Sequence, residues 1–163
     1  MIFSIVKEIP MTITDELQGL IQLLRNAKIE YALCGGLAMA THGWPRTTMD
    51  IDILIEEKNL APVRAIGKSL GFRHEAHKMS FCNGKIKIHR LVKIVGEEAV
   101  PLDLLTVTPA LLSVWKQREM LESAYGPICT VSAKGLAVMK SMRKSGQDKD
   151  DIRKLKGKDA AKN

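Results

Sequence analysis

The chain is poor in aromatic residues, has no closely spaced cysteines and contains no long apolar run, and each absence removes a class of function. Aromatics make up only 4% of the 163 residues. That leaves no stacking platform for single-stranded RNA or DNA, so any nucleic acid would be held through its phosphates. The three cysteines, Cys34, Cys82 and Cys129, lie far apart. An odd count without metal-ligand spacing argues against a disulfide framework or a zinc site and for reduced, buried thiols. His74, His77 and His89 show nothing beyond a bare His-x-x-His, and His42 beside Gly43 reads as a packed or capping side chain. No apolar segment approaches the roughly 20 residues needed to cross a bilayer. Residues 1–11 lack the charged start, long apolar middle and small-residue cleavage site of a secretion signal. The expectation is a cytoplasmic protein with no membrane partner. Repeats and interior low-complexity linkers are also missing. An apolar fraction of 45% and a charged fraction of 26% are those of an ordinary globular chain. A single domain is expected over residues 1–155, with a disordered basic tail at 156–163.

What the chain does have is positive charge, formally +7 with a pI near 9.4. Such a balance favours polyanionic partners: nucleotides, nucleic acid or an acidic protein. From Lys140 to Asn163 there are nine Lys or Arg against four Asp. A solvated helix with a frayed end would have the same composition.

Hydrophobic periodicity orders the elements. Thr14-Asp15-Glu16 opens a helix through Leu17, Leu20, Ile21 and Leu24, ending near Lys28. Tyr31 to Cys34 is a short strand that runs into Gly35-Gly36 and a helix from Leu37 to His42, broken by Gly43-Trp44-Pro45. Ile51 to Ile55 alternates apolar and acidic residues, and Leu60 to Leu70 is a second amphipathic helix. Strands follow at 72–75, 79–82 and 85–95, the last two joined by Asn83-Gly84, a strong hairpin signal. A strand at 100–105, a short helix from Thr108-Pro109, a strand at 128–131, and helices at 132–144 and 148–155 complete the chain. The expected class is α/β (α+β), a mixed β-sheet flanked by helices.

Chemistry concentrates between Cys34 and Glu56. Asp50 and Asp52 are two residues apart at a strand, so both carboxylates leave the same face. Like charges so placed raise each other's pKa unless a cation lies between them. A hard divalent ion with oxygen ligands, Mg²⁺ or Mn²⁺, meets that need and commonly bridges to substrate phosphates. Gly35-Gly36 stands at a strand-to-helix junction, where backbone can approach a phosphate closely. Arg46 could pair with a triphosphate as a planar donor. Thr47 and Thr48 could touch phosphate or merely suit the strand entry. Asp103, between Leu102 and Leu104, needs a partner. A metal or base role supplies one, and so does a salt bridge from a neighbouring strand by Lys87 or Arg90. Each piece is weak alone; the ordered set is specific.

That set, Gly35-Gly36, nine residues, then Arg46-x-Thr48-x-Asp50-Ile51-Asp52, resembles the nucleotidyltransferase superfamily whose best-known member is DNA polymerase beta. It looks most like the bacterial branch of abortive-infection toxins and aminoglycoside or lincosamide nucleotidyltransferases. Ser132 to Lys140 followed by Gln147-Asp-Lys-Asp-Asp151-Ile is similar to that branch's lysine-bearing helix and the helix after it, with Gln147 where a Lys is common. The resemblance implies that Gly35 and Gly36 hold the triphosphate of an NTP. Asp50 and Asp52 would ligate Mg²⁺, and Asp103 would share a second metal and deprotonate an acceptor hydroxyl. Lys140 is a candidate phosphate contact with a solvated helix face as its bland reading, while Asp148 and Asp151 would brace the last helix. The expected reaction moves a nucleoside monophosphate from an NTP to a hydroxyl of an RNA 3′ end, a protein side chain or a small molecule. A toxin role with an antitoxin partner follows from the branch alone. The alternative is a non-catalytic nucleotide- or partner-binding module on the same fold.

Overall fold

Thr12 starts the first helix by satisfying backbone groups that the helix itself cannot. Asp15 N donates to Thr12 Oγ1 at 3.2 Å, and Thr12 N donates back to Asp15 Oδ2 at 2.9 Å. This reciprocal cap opens α1 (Ile13–Asn26) one residue before the start read from the sequence. The computed structural model describes residues 12–44, 47–143 and 146–162, the side chains of 146–148 and 158–162 excepted. After α1 come β1 (Ala32–Cys34), α2 (Gly35–Thr41), β2 (Ile51–Ile55) and α3 (Leu60–Ser69). The middle of the chain is β-rich: β3 (His74–Glu75), β4 (Met79–Phe81), β5 (Ile86–Val95) and β6 (Glu98–Thr106). Next are α4 (Leu112–Lys116), β7 (Glu119–Ser123), β8 (Gly126–Thr130), α5 (Ala133–Ser141) and α6 (Gly146–Lys162).

The strands form one mixed eight-stranded sheet in the order β3-β5-β6-β2-β1-β8-β7, with β4 also paired to β5. The β2–β6 and β1–β8 pairs are parallel, and the others antiparallel. Central position explains composition. Ile51, Ile53 and Ile55 of β2 and Leu102 and Leu104 of β6 are fully buried, as strands covered on both faces require. Leu91 and Leu102 are neighbours in the β5–β6 pair and carry α3 on their face of the sheet. Gly67 of α3 makes that approach possible, since a Cβ there would stand 2.9 Å from Leu91 Cδ1. An ion pair from the half-buried Lys93 Nζ to the buried Glu16 Oε1, 2.7 Å, ties α1 to β5.

Two departures from the sequence reading have plain causes. Strand β7 was not expected. Glu119, Met120, Leu121 and Glu122 are good helix formers, and their pairing with β8 across the Ala124-Tyr125 turn overrides that preference. Helix α6 runs from Gly146 to Lys162, beyond the helix expected at 148–155 and into the segment expected as a tail. The Asn83-Gly84 hairpin forms as expected, with Cys82, Asn83 and Gly84 all at positive φ.

Candidate active site

Strand register assembles the site. Cys34 of β1 lies opposite Asp52 of β2, Asp52 opposite Asp103 of β6, and Asp103 opposite Arg90 of β5. Directly paired residues face the same side of a sheet, so these four side chains form one row across four strands. Asp50, two residues before Asp52, joins them on that side. Together with Gly35 and with Leu136, Met139 and Lys140 of α5, they line a cavity of about 570 Å³.

Gly35 explains why the strand-to-helix junction carries glycine. Its φ is +66°, and a Cβ built on it would fall 2.2 Å from Asp52 Oδ2. Only the bare backbone leaves room for that carboxylate. Gly36, by contrast, is buried inside α2. Thr48 braces the strand entry, its Oγ1 donating to the Asp50 carbonyl at 3.4 Å. Arg46 lies outside the described residues.

The three carboxylates have distinct environments. Asp103 is only 3% exposed and is gripped at both oxygens, by Arg90 Nε at 2.7 Å and Arg90 Nη2 at 2.8 Å. Of the two salt-bridge candidates named from the sequence, Arg90 is thus the one that reaches Asp103. Burial pushes the Asp52 carboxyl up to about 7, helped by the charges of Asp103 and Asp50, with Arg143 opposing. Asp50 is raised in the same direction, by burial and then by Asp103, against the pull of Arg90 and Arg143. Its side chain remains 41% exposed, and the Arg90 guanidinium passes 3.8 Å from Asp50 Oδ2. Arg90 itself is held firmly cationic, above all by its hydrogen bond to Asp103. The Cys34 thiol is pushed well up by burial and by Asp52 and Asp103, which makes it a poor nucleophile.

The donor set suits a hard divalent cation: carboxylate oxygens on adjacent strands, two of them with raised proton affinity that a cation would relieve. Among the described residues no group of three His, Cys, Asp or Glu stands in a metal-holding arrangement. The histidines take no part; His42 is buried, with Nε2 2.8 Å from the Val131 carbonyl.

Lys140 reaches the cavity wall but is 5% exposed, and its Nζ lies 3.0 Å from Oδ2 of the equally buried Asp151. The pair locks α6 onto α5, which gives Asp151 the bracing role expected for it. Removing one member of a buried pair strands the other charge, at a cost of about 3–5 kcal/mol. Lys140→Met is therefore expected to lower stability by about 3 kcal/mol in urea denaturation, and Lys140→Met/Asp151→Leu to recover most of it. Sequence reasoning missed the apolar wall made by Met79, Phe81, Ile86, Ile88 and Met142. Those residues belong to a hairpin and a helix end that meet only in the fold.

No protein-family model matches the chain, and no curated protein sequence matches it. Solved structures do. The lincosamide antibiotic adenylyltransferase LnuA, bound to lincomycin, superposes with a TM-score of 0.63 at 18% identity, over 91% of this chain and 98% of that one. The antibiotic-resistance factor ANT(2'')-Ia gives 0.58 at 14% identity, over 90% and 84%. A candidate nucleotidyltransferase from Thermotoga maritima gives 0.57 at 19% identity, over 87% and 91%. The chain has the nucleotidyltransferase fold.

Proposed function

We propose that this protein is a metal-dependent nucleotidyltransferase that moves a nucleoside monophosphate from an NTP to a hydroxyl acceptor. The observation that supports this most is the placement of Asp50, Asp52 and Asp103 on one cavity wall, with Gly35 pared back to admit Asp52. In this reading Asp50 and Asp52 hold Mg²⁺ or Mn²⁺, and Asp103 completes the acidic set. When bound, such an ion offsets the charge of the triphosphate and polarises its phosphoryl oxygens. Gly35 keeps the backbone at the mouth of α2 open to the phosphates. Asp103 accepts the proton of the acceptor hydroxyl; the hydroxyl oxygen bonds to the α-phosphorus, and the bond to pyrophosphate breaks. Fixed positioning and charge supply most of the rate in chemistry of this kind.

The wall also bears on the acceptor. The charged residues that line the cavity are three acids (Asp50, Asp52, Asp103) and three cations (Arg90, Lys140, Arg143), and the rest of the lining is mostly apolar. That lining suits an acceptor with an apolar face, while the formal charge of +7 over the chain supports an RNA 3′ end or an acidic protein segment as acceptor. A toxin role with an antitoxin partner remains part of this proposal.

The test is thermal stabilisation by each NTP, with and without Mg²⁺. Ligand at about a hundred times its dissociation constant adds about 2.7 kcal/mol. A rise in Tm that needs Mg²⁺ and vanishes in Asp50→Ala/Asp52→Ala is the expected result. Stabilisation that persists without Mg²⁺ or in the double variant would overturn the metal–triphosphate site.

A further inference from the structure

From Arg64 to His89 the chain carries six Lys or Arg against one acid, Glu75, and so holds five of its seven net positive charges. The fold gathers that stretch at one edge of the sheet, in α3, β3, β4 and the start of β5. Side chains alternate across a strand. Met79 and Phe81 of β4 and Ile86 and Ile88 of β5 line the cavity, so Ser80, Lys87 and His89 face the other side. Arg64 and Lys68 of α3 stand on that side too, both bonded to Glu75, with Lys68 Nζ 2.8 Å from its Oε1. Burial, then the charges of Lys78 and Arg64, hold the His89 imidazole below its usual pKa, with Lys87 adding and Glu57 opposing. The potential around His89 is therefore positive. We propose that this outer face of the β4–β5 hairpin holds the phosphate backbone of an RNA acceptor whose 3′ end enters the cavity on the hairpin's inner face. The proposal rests on the nucleotidyltransferase reading above and names the acceptor together with the surface that carries it.

The two faces are close neighbours. Strand β4 pairs with β5 and stands at the sheet edge. A chain leaving the cavity past the half-exposed Phe81 crosses one strand to reach Lys78 and Lys87. Phosphates are the groups such a surface selects. Among the described residues, none of the exposed large apolar side chains lies on the outer face, since Phe81 belongs to the cavity lining. A protein partner needs an apolar centre to its contact, whereas nucleic acid is held by cations set against its backbone. Phe72, the other aromatic residue of the stretch, is buried, so the outer face has no ring on which a base could stack. Helix α6 is also rich in lysine, but its six Lys or Arg are interleaved with four Asp, and Arg153 pairs with Asp150 at 3.6 Å. Its field is correspondingly weaker.

Fluorescence anisotropy of a short RNA hairpin with a single-stranded 3′ overhang, labelled at its 5′ end, tests this across a range of KCl. Wild type is compared with Lys78→Gln/Lys85→Gln/Lys87→Gln and with Lys149→Gln/Lys154→Gln/Lys156→Gln, which removes the same charge from α6. The first variant is expected to bind RNA at least about tenfold more weakly, its log Kd against log salt flatter by about one for each lysine removed. The α6 variant is expected to stay within about threefold of wild type. Lys78→Gln/Lys87→Gln carries the test if the first triple variant does not fold. All variants should keep the wild-type Mg²⁺-dependent thermal shift with NTP, and a photoreactive thiouridine at the RNA 3′ end should crosslink to Met79 or Phe81. Equal losses in the two triple variants would overturn the proposal, because net charge and not this face would then bind RNA. Tighter binding of a labelled poly-glutamate peptide than of RNA would also overturn it. No RNA binding by wild type, with the Mg²⁺·NTP shift intact, would overturn the surface and leave the nucleotidyltransferase reading standing. RNA binding without any Mg²⁺·NTP shift would overturn the acceptor role together with that reading.

Discussion

Asp52→Asn is expected to make the metal-free protein more stable at pH 8 while removing metal-dependent nucleotide binding. Folding raises the Asp52 pKa from 3.8 to about 7 through burial and the charges of Asp103 and Asp50. A group whose pKa rises on folding contributes stability that is complete below the unfolded value and is lost as pH climbs through the folded one. Wild type in a chelator should therefore lose stability between pH 4 and pH 7 and level off above, by on the order of 3 kcal/mol. Asp50, raised in the same direction, adds to that slope. The lowered carboxyls, Glu75 at about 2 and Asp15, act with the opposite sign but in a more acidic range. Asparagine keeps the shape, can donate to Asp103 and never ionises, so the variant's slope over this window should be much flatter. Urea denaturation across pH reads the stability, and the Mg²⁺-dependent thermal shift with NTP reads the loss of binding. A variant with the wild-type pH profile would show that Asp52 is ionised throughout and would sink the prediction. Sites that trade stability for function in this way are common.

Gly35→Ala carries the second large effect. The left-handed φ of +66° costs a side-chain-bearing residue roughly 1–2 kcal/mol. The added methyl would also overlap Asp52 Oδ2, at 2.2 Å, and neither the backbone of α2 nor a buried carboxylate can yield cheaply. About 3 kcal/mol in total corresponds to a fall in Tm of about 6–12 °C for a chain of this size. Nucleotide binding should fall further than stability, because relief of the overlap moves a proposed metal ligand. If Gly35→Ala retained the wild-type Mg²⁺·NTP shift, the close fit between Gly35 and Asp52 would have no bearing on binding.

Much of this arrangement was legible in the sequence, because its signals are local. The two-residue spacing of Asp50 and Asp52 sets a face, Gly35-Gly36 marks a strand-to-helix junction, and an aspartate between leucines in an apolar strand asks for a partner. For Asp103 the sequence left two answers open, a metal or base role and a salt bridge. The fold shows the salt bridge, from Arg90. What the sequence hid depends on long-range pairing. Lys140 looked like a surface or phosphate-binding lysine, and its burial against Asp151 exists only once α6 docks. Residues 119–122 were assigned no element, because their helix-forming side chains hide a strand that exists only through its pairing with β8. Thr48, read as a phosphate contact or a residue suited to the strand entry, bonds the Asp50 carbonyl at that entry, and Arg46 falls outside the described residues.

The cross-strand row also has a history during folding. Arg90 and Asp103 are thirteen residues apart and belong to one β5–β6 hairpin, whereas Asp52 reaches Asp103 only through a parallel pairing that closes a loop of about fifty residues. Local pairings form with little loop-closure cost, and distant ones wait. The guanidinium is therefore expected on Asp103 before the second carboxylate arrives. Asp52 then meets a carboxylate already paired with a cation, so one arginine would serve the nascent protein as its own folding aid.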